Sequence, residues 1–117
     1  VNPRVAVSTK EVFSAVQPKN IPTPAQPAQL DDHEILKDWL ETRRNDLEVP
    51  AKGISLEISD CLTSLRTETH DAAYVAMSGS GATCFALCPT VGDGELVATA
   101  ISGKYPQWWT WAGRILQ

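Results

Sequence analysis

The chain has 117 residues, 43% of them hydrophobic, and carries a formal charge of −4. That length fits one domain with a modest core, and an acidic balance without a clustered Lys/Arg stripe argues against nucleic acid or an anionic membrane surface as partner. No apolar run approaches the roughly 20 residues of a membrane span, and no signal-peptide pattern opens the chain, so a soluble cytoplasmic protein is expected.

Three cysteines, Cys61, Cys84 and Cys88, are odd in number and lack Cys-x-x-Cys spacing. They read as small core residues, Cys84 and Cys88 on one face of a strand, with no disulfide framework implied. His33 and His70 stand far from them in sequence, and no metal site is expected. The first residue is Val1 and the sole methionine is Met77. A domain belonging to a longer protein is therefore expected.

In chain order, Arg4 to Val7 reads as a strand. Ser8 and Glu11 form the Ser-x-x-Glu pattern of a capping box, in which side chains satisfy unpaired N–H groups, and predict a short helix to about Val16 bearing Phe13. Gln17 to Leu30 contains Pro18, Pro22, Pro24 and Pro27, which exclude regular helix and leave an extended surface segment. Asp31 or Asp32 then caps a second helix. There Ile35, Leu36, Trp39 and Leu40 recur at helical spacing, while Glu34, Lys37, Asp38 and Glu41 face outward. Arg43, Arg44, Asn45 and Asp46 form a polar corner that caps and surface pairs explain, or that faces a ligand.

A third helix is predicted from near Ser55, with Ile54, Ile58, Cys61, Leu62 and Leu65 on one face to cover a sheet. Ala73 to Met77 and Thr83 to Cys88 read as two strands joined by a tight turn. Gly92 to Gly94 leads into a helix bearing Leu96, Val97, Ala100 and Ile101, ended by Gly103 and Pro106. From Trp108 to Leu116, Trp109, Trp111 and Ile115 alternate with Thr110, Ala112 and Arg114, the period of a half-buried strand. The tryptophans serve core and edge packing in this reading, not a platform for bases. The sum is α+β: a ferredoxin-like β-α-β-β-α-β antiparallel sheet with helices on one face and an extra helix in the first crossover.

The turn carries the chemical interest. Ser78, Gly79, Ser80, Gly81, Ala82 and Thr83 join the two predicted strands, and the glycines are suited to positive φ that other residues adopt at a cost. Successive N–H groups there, with three hydroxyls, make a concavity suited to an anion such as phosphate. A hairpin that merely needs flexible φ explains the same residues. No Gly-Lys-Ser/Thr follows, Cys84 stands where a dinucleotide fingerprint has its third glycine, and no Gly-x-Ser-x-Gly elbow is present.

Met77 to Leu87, as Met-Ser-Gly-Ser-Gly-Ala-Thr-Cys-Phe-Ala-Leu, resembles the third conserved motif of the GHMP small-molecule kinases. Asn2 to Phe13, Asn-Asp-Leu-Glu at Asn45 to Glu48, and Pro-x-Trp-Trp at Pro106 to Trp109 resemble, in the same order, the C-terminal half of the branch serving non-mevalonate isoprenoid synthesis. The resemblance implies transfer of the γ-phosphoryl group of ATP, assisted by magnesium, to the 2-hydroxyl of 4-diphosphocytidyl-2-C-methyl-D-erythritol. In that family an N-terminal domain supplies the Gly-Leu-Gly-Gly-Gly-Ser-Ser phosphate loop and the catalytic aspartate and lysine. None is in this chain, so no catalytic or metal-binding residue is assigned, the chain's own N-terminal kinase domain is the implied partner, and residues 1–117 alone are expected to be inactive.

The resemblance further implies that Ser78 to Thr83 line the reacting end of the cleft, that Phe13 stacks on the substrate cytosine, and that Thr9 stands near that pocket. Lys10 stands where some relatives carry proline. The alternatives are a free-standing ferredoxin-like module that binds a small anion without catalysis, and a kinase of the same superfamily with a mevalonate-type or homoserine-type alcohol.

Overall fold

The computed structural model describes residues 1–16, 32–42, 45–70 and 72–114. The proline-rich segment therefore lies outside the described residues, as do Arg43 and Arg44 of the polar corner. The elements run α1 (Thr9–Ser14), α2 (His33–Glu41), α3 (Glu48–Ile54), α4 (Leu56–Glu68), β1 (Tyr74–Met77), β2 (Cys84–Leu87) and α5 (Val91–Lys104). The chain is α+β, as expected.

Local chemistry accounts for the helix starts. Ser8 accepts a hydrogen bond from the Glu11 N–H, Asp32 from the Ile35 N–H, and Thr90 from the Asp93 N–H, each satisfying a donor that the first turn leaves unpaired. α3 lies between the polar corner and the helix predicted from near Ser55, where no helix was expected. Pro50 is the third residue of the helix, where its missing N–H would have had no intrahelical partner. Ile54 accordingly closes α3 and is exposed; it does not join the buried stripe of the next helix.

That stripe is Ile58, Cys61, Leu62 and Leu65 on α4, at the i, i+3, i+4, i+7 spacing of one helical face, and all four are buried. α4 packs on both strands. The strands pair antiparallel, Tyr74 opposite Leu87 and Met77 opposite Cys84. Because side chains alternate along a strand, Met77 and Cys84 share the helix-covered face while Tyr74 and Phe85 share the other, where their rings lie 5.9 Å apart. Val12 of α1, Ala51 of α3 and Ile101 of α5 complete the core. Ile35, Leu36, Trp39 and Leu40 on α2 are half-buried rather than enclosed.

The outer strands differ from expectation. Arg4 to Val7 is not a strand: the Arg4 N–H bonds to Asn2 Oδ1 at 2.7 Å and Arg4 sits at φ +60°, which breaks the extended run. Pairing falls earlier. Val1 exchanges two 2.8 Å bonds with Cys84, and Asn2 exchanges two 2.8 Å bonds with Trp109. Successive residues thus bond to opposite sides, the pattern of a central antiparallel strand. The order across the sheet is Trp109, Asn2/Val1, β2, β1, the ferredoxin-like order seen in part, since only β1 and β2 form a regular ladder.

At the C-terminal side, extended pairing is confined to Trp109, and 115–117 lie outside the described residues. The ring turned inward is Trp108, 7% exposed and stacked on Tyr105 with centroids 3.8 Å apart. Trp109 and Trp111, expected inside, are 46% and 65% exposed. α5 likewise begins before Gly92 and runs through Gly103, because Thr90 caps it; the glycines lie within the helix instead of bounding it. Among the described residues no helix is long and apolar enough to cross a membrane.

Candidate functional site

The loop between β1 and β2 is closed by its own backbone. The Ser78 N–H bonds to Thr83 O at 2.8 Å and the Gly81 N–H to Ser78 O at 3.1 Å. Gly79 and Gly81 take φ values of +56° and +96°, as their positions led one to expect. A Cβ on Gly81 would also stand 3.1 Å from Met77 Sδ and 3.2 Å from Ile58 Cδ1, so the loop's inner shoulder rests directly on the core.

Three side chains from remote segments hold this loop. Asn2 donates from Nδ2 to Thr83 Oγ1 at 3.1 Å. Thr9 Oγ1 and Ser80 Oγ share a hydrogen bond of 3.1 Å. Asn45 donates from Nδ2 to Met77 O at 3.1 Å and to Gly79 O at 2.7 Å, while its Oδ1 accepts from the Leu47 N–H at 3.0 Å. Asn45 was legible only as part of a polar corner and a family motif. Its grip on the loop spans more than thirty residues of sequence, and no local pattern announces it.

Thr9 and Phe13 are four residues apart on α1 and hence share a helix face. With Thr9 against Ser80, Phe13 stands one turn further along the same side, about 6 Å on by helical rise. Phe13 is 59% exposed and stands outside the core. An open hollow of about 570 Å³ runs along another face of α1, lined by Ser8, Lys10, Glu11, Ser14, Ala15 and Ile54. The structure thus brings Thr9 to the loop Ser78 to Thr83, with Phe13 on the same helix one turn further along. Ala82 is the exception in kind, buried at 6% exposure and packing inward.

Chemically the loop is a set of neutral donors. Among the described residues the N–H groups of Gly79, Ser80 and Ala82 have no acceptor, which suits a phosphate oxygen. The same residues offer a divalent cation hydroxyls and backbone carbonyls but no carboxylate, and no group of three or more His, Cys, Asp or Glu converges among the described residues. A magnesium ion does not fit this loop on its own. Beneath it the buried thiols of Cys61 and Cys84 are hydrogen-bonded to each other, which holds Cys61 above the ordinary thiol range and Cys84 below it.

The described residues thus form an antiparallel α+β domain whose glycine-serine hairpin loop is tied to α1 through Thr9 and Ser80. The chain belongs to the family described as GHMP kinases C terminal, whose pattern it matches over residues 28–107. It is 43% identical over 111 residues to the 4-diphosphocytidyl-2-C-methyl-D-erythritol kinase of Roseobacter denitrificans, covering 93% of this chain and 36% of that protein. It is 42% identical over 119 residues to the enzyme of that name from Ruegeria pomeroyi, covering 99% and 42% respectively. A crystal structure of 4-(cytidine 5'-diphospho)-2C-methyl-D-erythritol kinase matches with a TM-score of 0.66 and 26% identity, over 96% of this chain and 40% of the other. The chain spans about two fifths of the length of the curated relatives it matches.

Proposed function

We propose that this domain forms one wall of the cleft of an ATP-dependent kinase that phosphorylates the 2-hydroxyl of 4-diphosphocytidyl-2-C-methyl-D-erythritol in the bacterial cytoplasm. The contact between Thr9 and Ser80 supports the reading, because it ties the glycine loop to the short helix that also carries the exposed Phe13. A nucleobase on Phe13 leaves the rest of an extended substrate to run toward the loop. The names of the relatives support the choice of substrate.

In this reading the N-terminal domain of the whole protein binds ATP and magnesium and supplies the catalytic groups. This domain contributes shape and backbone donors, which serve phosphoryl transfer through positioning and charge stabilisation. Residues 1–117 alone are inactive. The test is the full-length polypeptide carrying this segment, assayed for ATP-dependent phosphorylation of 4-diphosphocytidyl-2-C-methyl-D-erythritol. Base stacking on an aromatic ring contributes about 1–3 kcal/mol, so Phe13→Ala should raise KM for this substrate roughly tenfold or more with little change in kcat. An unchanged KM removes Phe13 from the site, and an inactive wild type removes the kinase reading.

A further inference from the structure

We infer that Asn45 is a positioning residue for phosphoryl transfer: its amide holds the carbonyls of Met77 and Gly79 and thereby aims the Ser80 N–H at the reacting group. The inference rests on the kinase reading above, but the geometry behind it is independent of which alcohol is phosphorylated.

A trans peptide is planar, so the carbonyl of one residue and the N–H of the next point in opposite directions. The peptide from Gly79 to Ser80 is trans. With Gly79 O drawn to Asn45 Nδ2 at 2.7 Å, the Ser80 N–H is turned to the side away from Asn45. The same logic at Met77 turns the Ser78 N–H away, and that donor is consumed by Thr83 O, closing the hairpin. The Ser80 N–H is not consumed by any described residue. Its own side chain meets Thr9, on the face of α1 that carries Phe13. One amide therefore sets two carbonyl directions, one that shuts the turn and one that leaves a donor aimed outward.

Asn45 is itself anchored. Its Oδ1 accepts from the Leu47 N–H and its own carbonyl accepts from the Glu48 N–H at 3.1 Å, so the start of α3 holds the amide in place. Asn is suited to this because it is donor and acceptor at once. Aspartate keeps the acceptor for Leu47 but sets a carboxylate against two carbonyl oxygens.

That asymmetry separates support of α3 from positioning of the loop. In the full-length polypeptide, Asn45→Asp should lower kcat by roughly ten- to a hundredfold, the scale of a small misplacement at a reacting centre, with KM for the cytidine substrate within about threefold. Hydrogen exchange of the peptide spanning Met77 to Thr83 should quicken while that of α3 does not. Should Asn45→Asp melt below the assay temperature, Asn45→Ser carries the test, since its hydroxyl can serve Leu47 but is too short to hold both carbonyls. Wild-type kcat in a folded variant overturns the proposal. If the wild type lacks kinase activity, the kinase reading fails by itself and loop exchange decides for Asn45: faster exchange upholds the loop clamp, and unchanged exchange overturns it.

Discussion

The glycine loop and the sheet beneath it sit against one another and are held by different forces. Below, Met77 and Cys84 press on the Ile58, Cys61, Leu62 and Leu65 face of α4, and removal of apolar surface from water supplies most of the stabilisation. Above, Asn2, Thr9 and Asn45 reach the loop through neutral hydrogen bonds, each contributing about 1 kcal/mol net. Stability is thus concentrated in the lower region and conformational specificity in the upper one. A loop held by polar contacts can be set to a particular shape without the core having to repack.

Substitutions that strike one region and spare the other sharpen this contrast. The largest loss of stability belongs to Leu62→Ala, which removes a side chain 1% exposed and should cost about 2–5 kcal/mol in chemical denaturation. Activity per folded molecule should survive it. Gly81→Ala strikes both regions, because its φ of +96° and the nearby Met77 Sδ and Ile58 Cδ1 oppose a Cβ; about 1–3 kcal/mol of destabilisation with a concurrent fall in kcat is expected. A full loss of one without the other would break the picture of a loop seated on the core. Thr90→Ala removes the cap of α5, far from the loop, and should lower stability by about 1 kcal/mol in the same denaturation assay with kinetics unchanged. Phe13→Ala should leave the thermal midpoint almost unmoved, since the ring is largely exposed, and show itself in KM alone.

What the sequence disclosed follows the same division. Local signals were legible: the caps at Ser8 and Asp32, the stripe of α4, the paired strands, and the positive φ of Gly79 and Gly81 all depend on residues a few positions apart. Misreadings arose where a local rule met a special position. α3 went unread although its Pro50 is harmless in a first turn, and Arg4 at positive φ stops a strand whose composition promised continuation. The choice of Trp108 over Trp109 as the buried ring depends on register, which a one-residue slip inverts. Asn45 depends on two carbonyls more than thirty residues away, and only the folded chain brings them within reach. Thr9 and Phe13 were named through family resemblance, and what the fold adds is that both lie on α1, with Thr9 bonded to Ser80.

The placement of Val1 and Asn2 inside the sheet bears on how the molecule assembles. One flank of this short strand is filled by Cys84 and the other by Trp109, partners separated from it by eighty residues or more. Closing so long a stretch of chain costs several kcal/mol in entropy before any contact repays it, by roughly (3/2)RT ln n plus a constant. During synthesis the hairpin and its covering helices can gather from neighbouring residues, whereas the middle of the sheet must wait for Trp109 to emerge. The domain should therefore fold late and at the pace set by distant partners, with its central backbone among the last parts to gain protection from solvent.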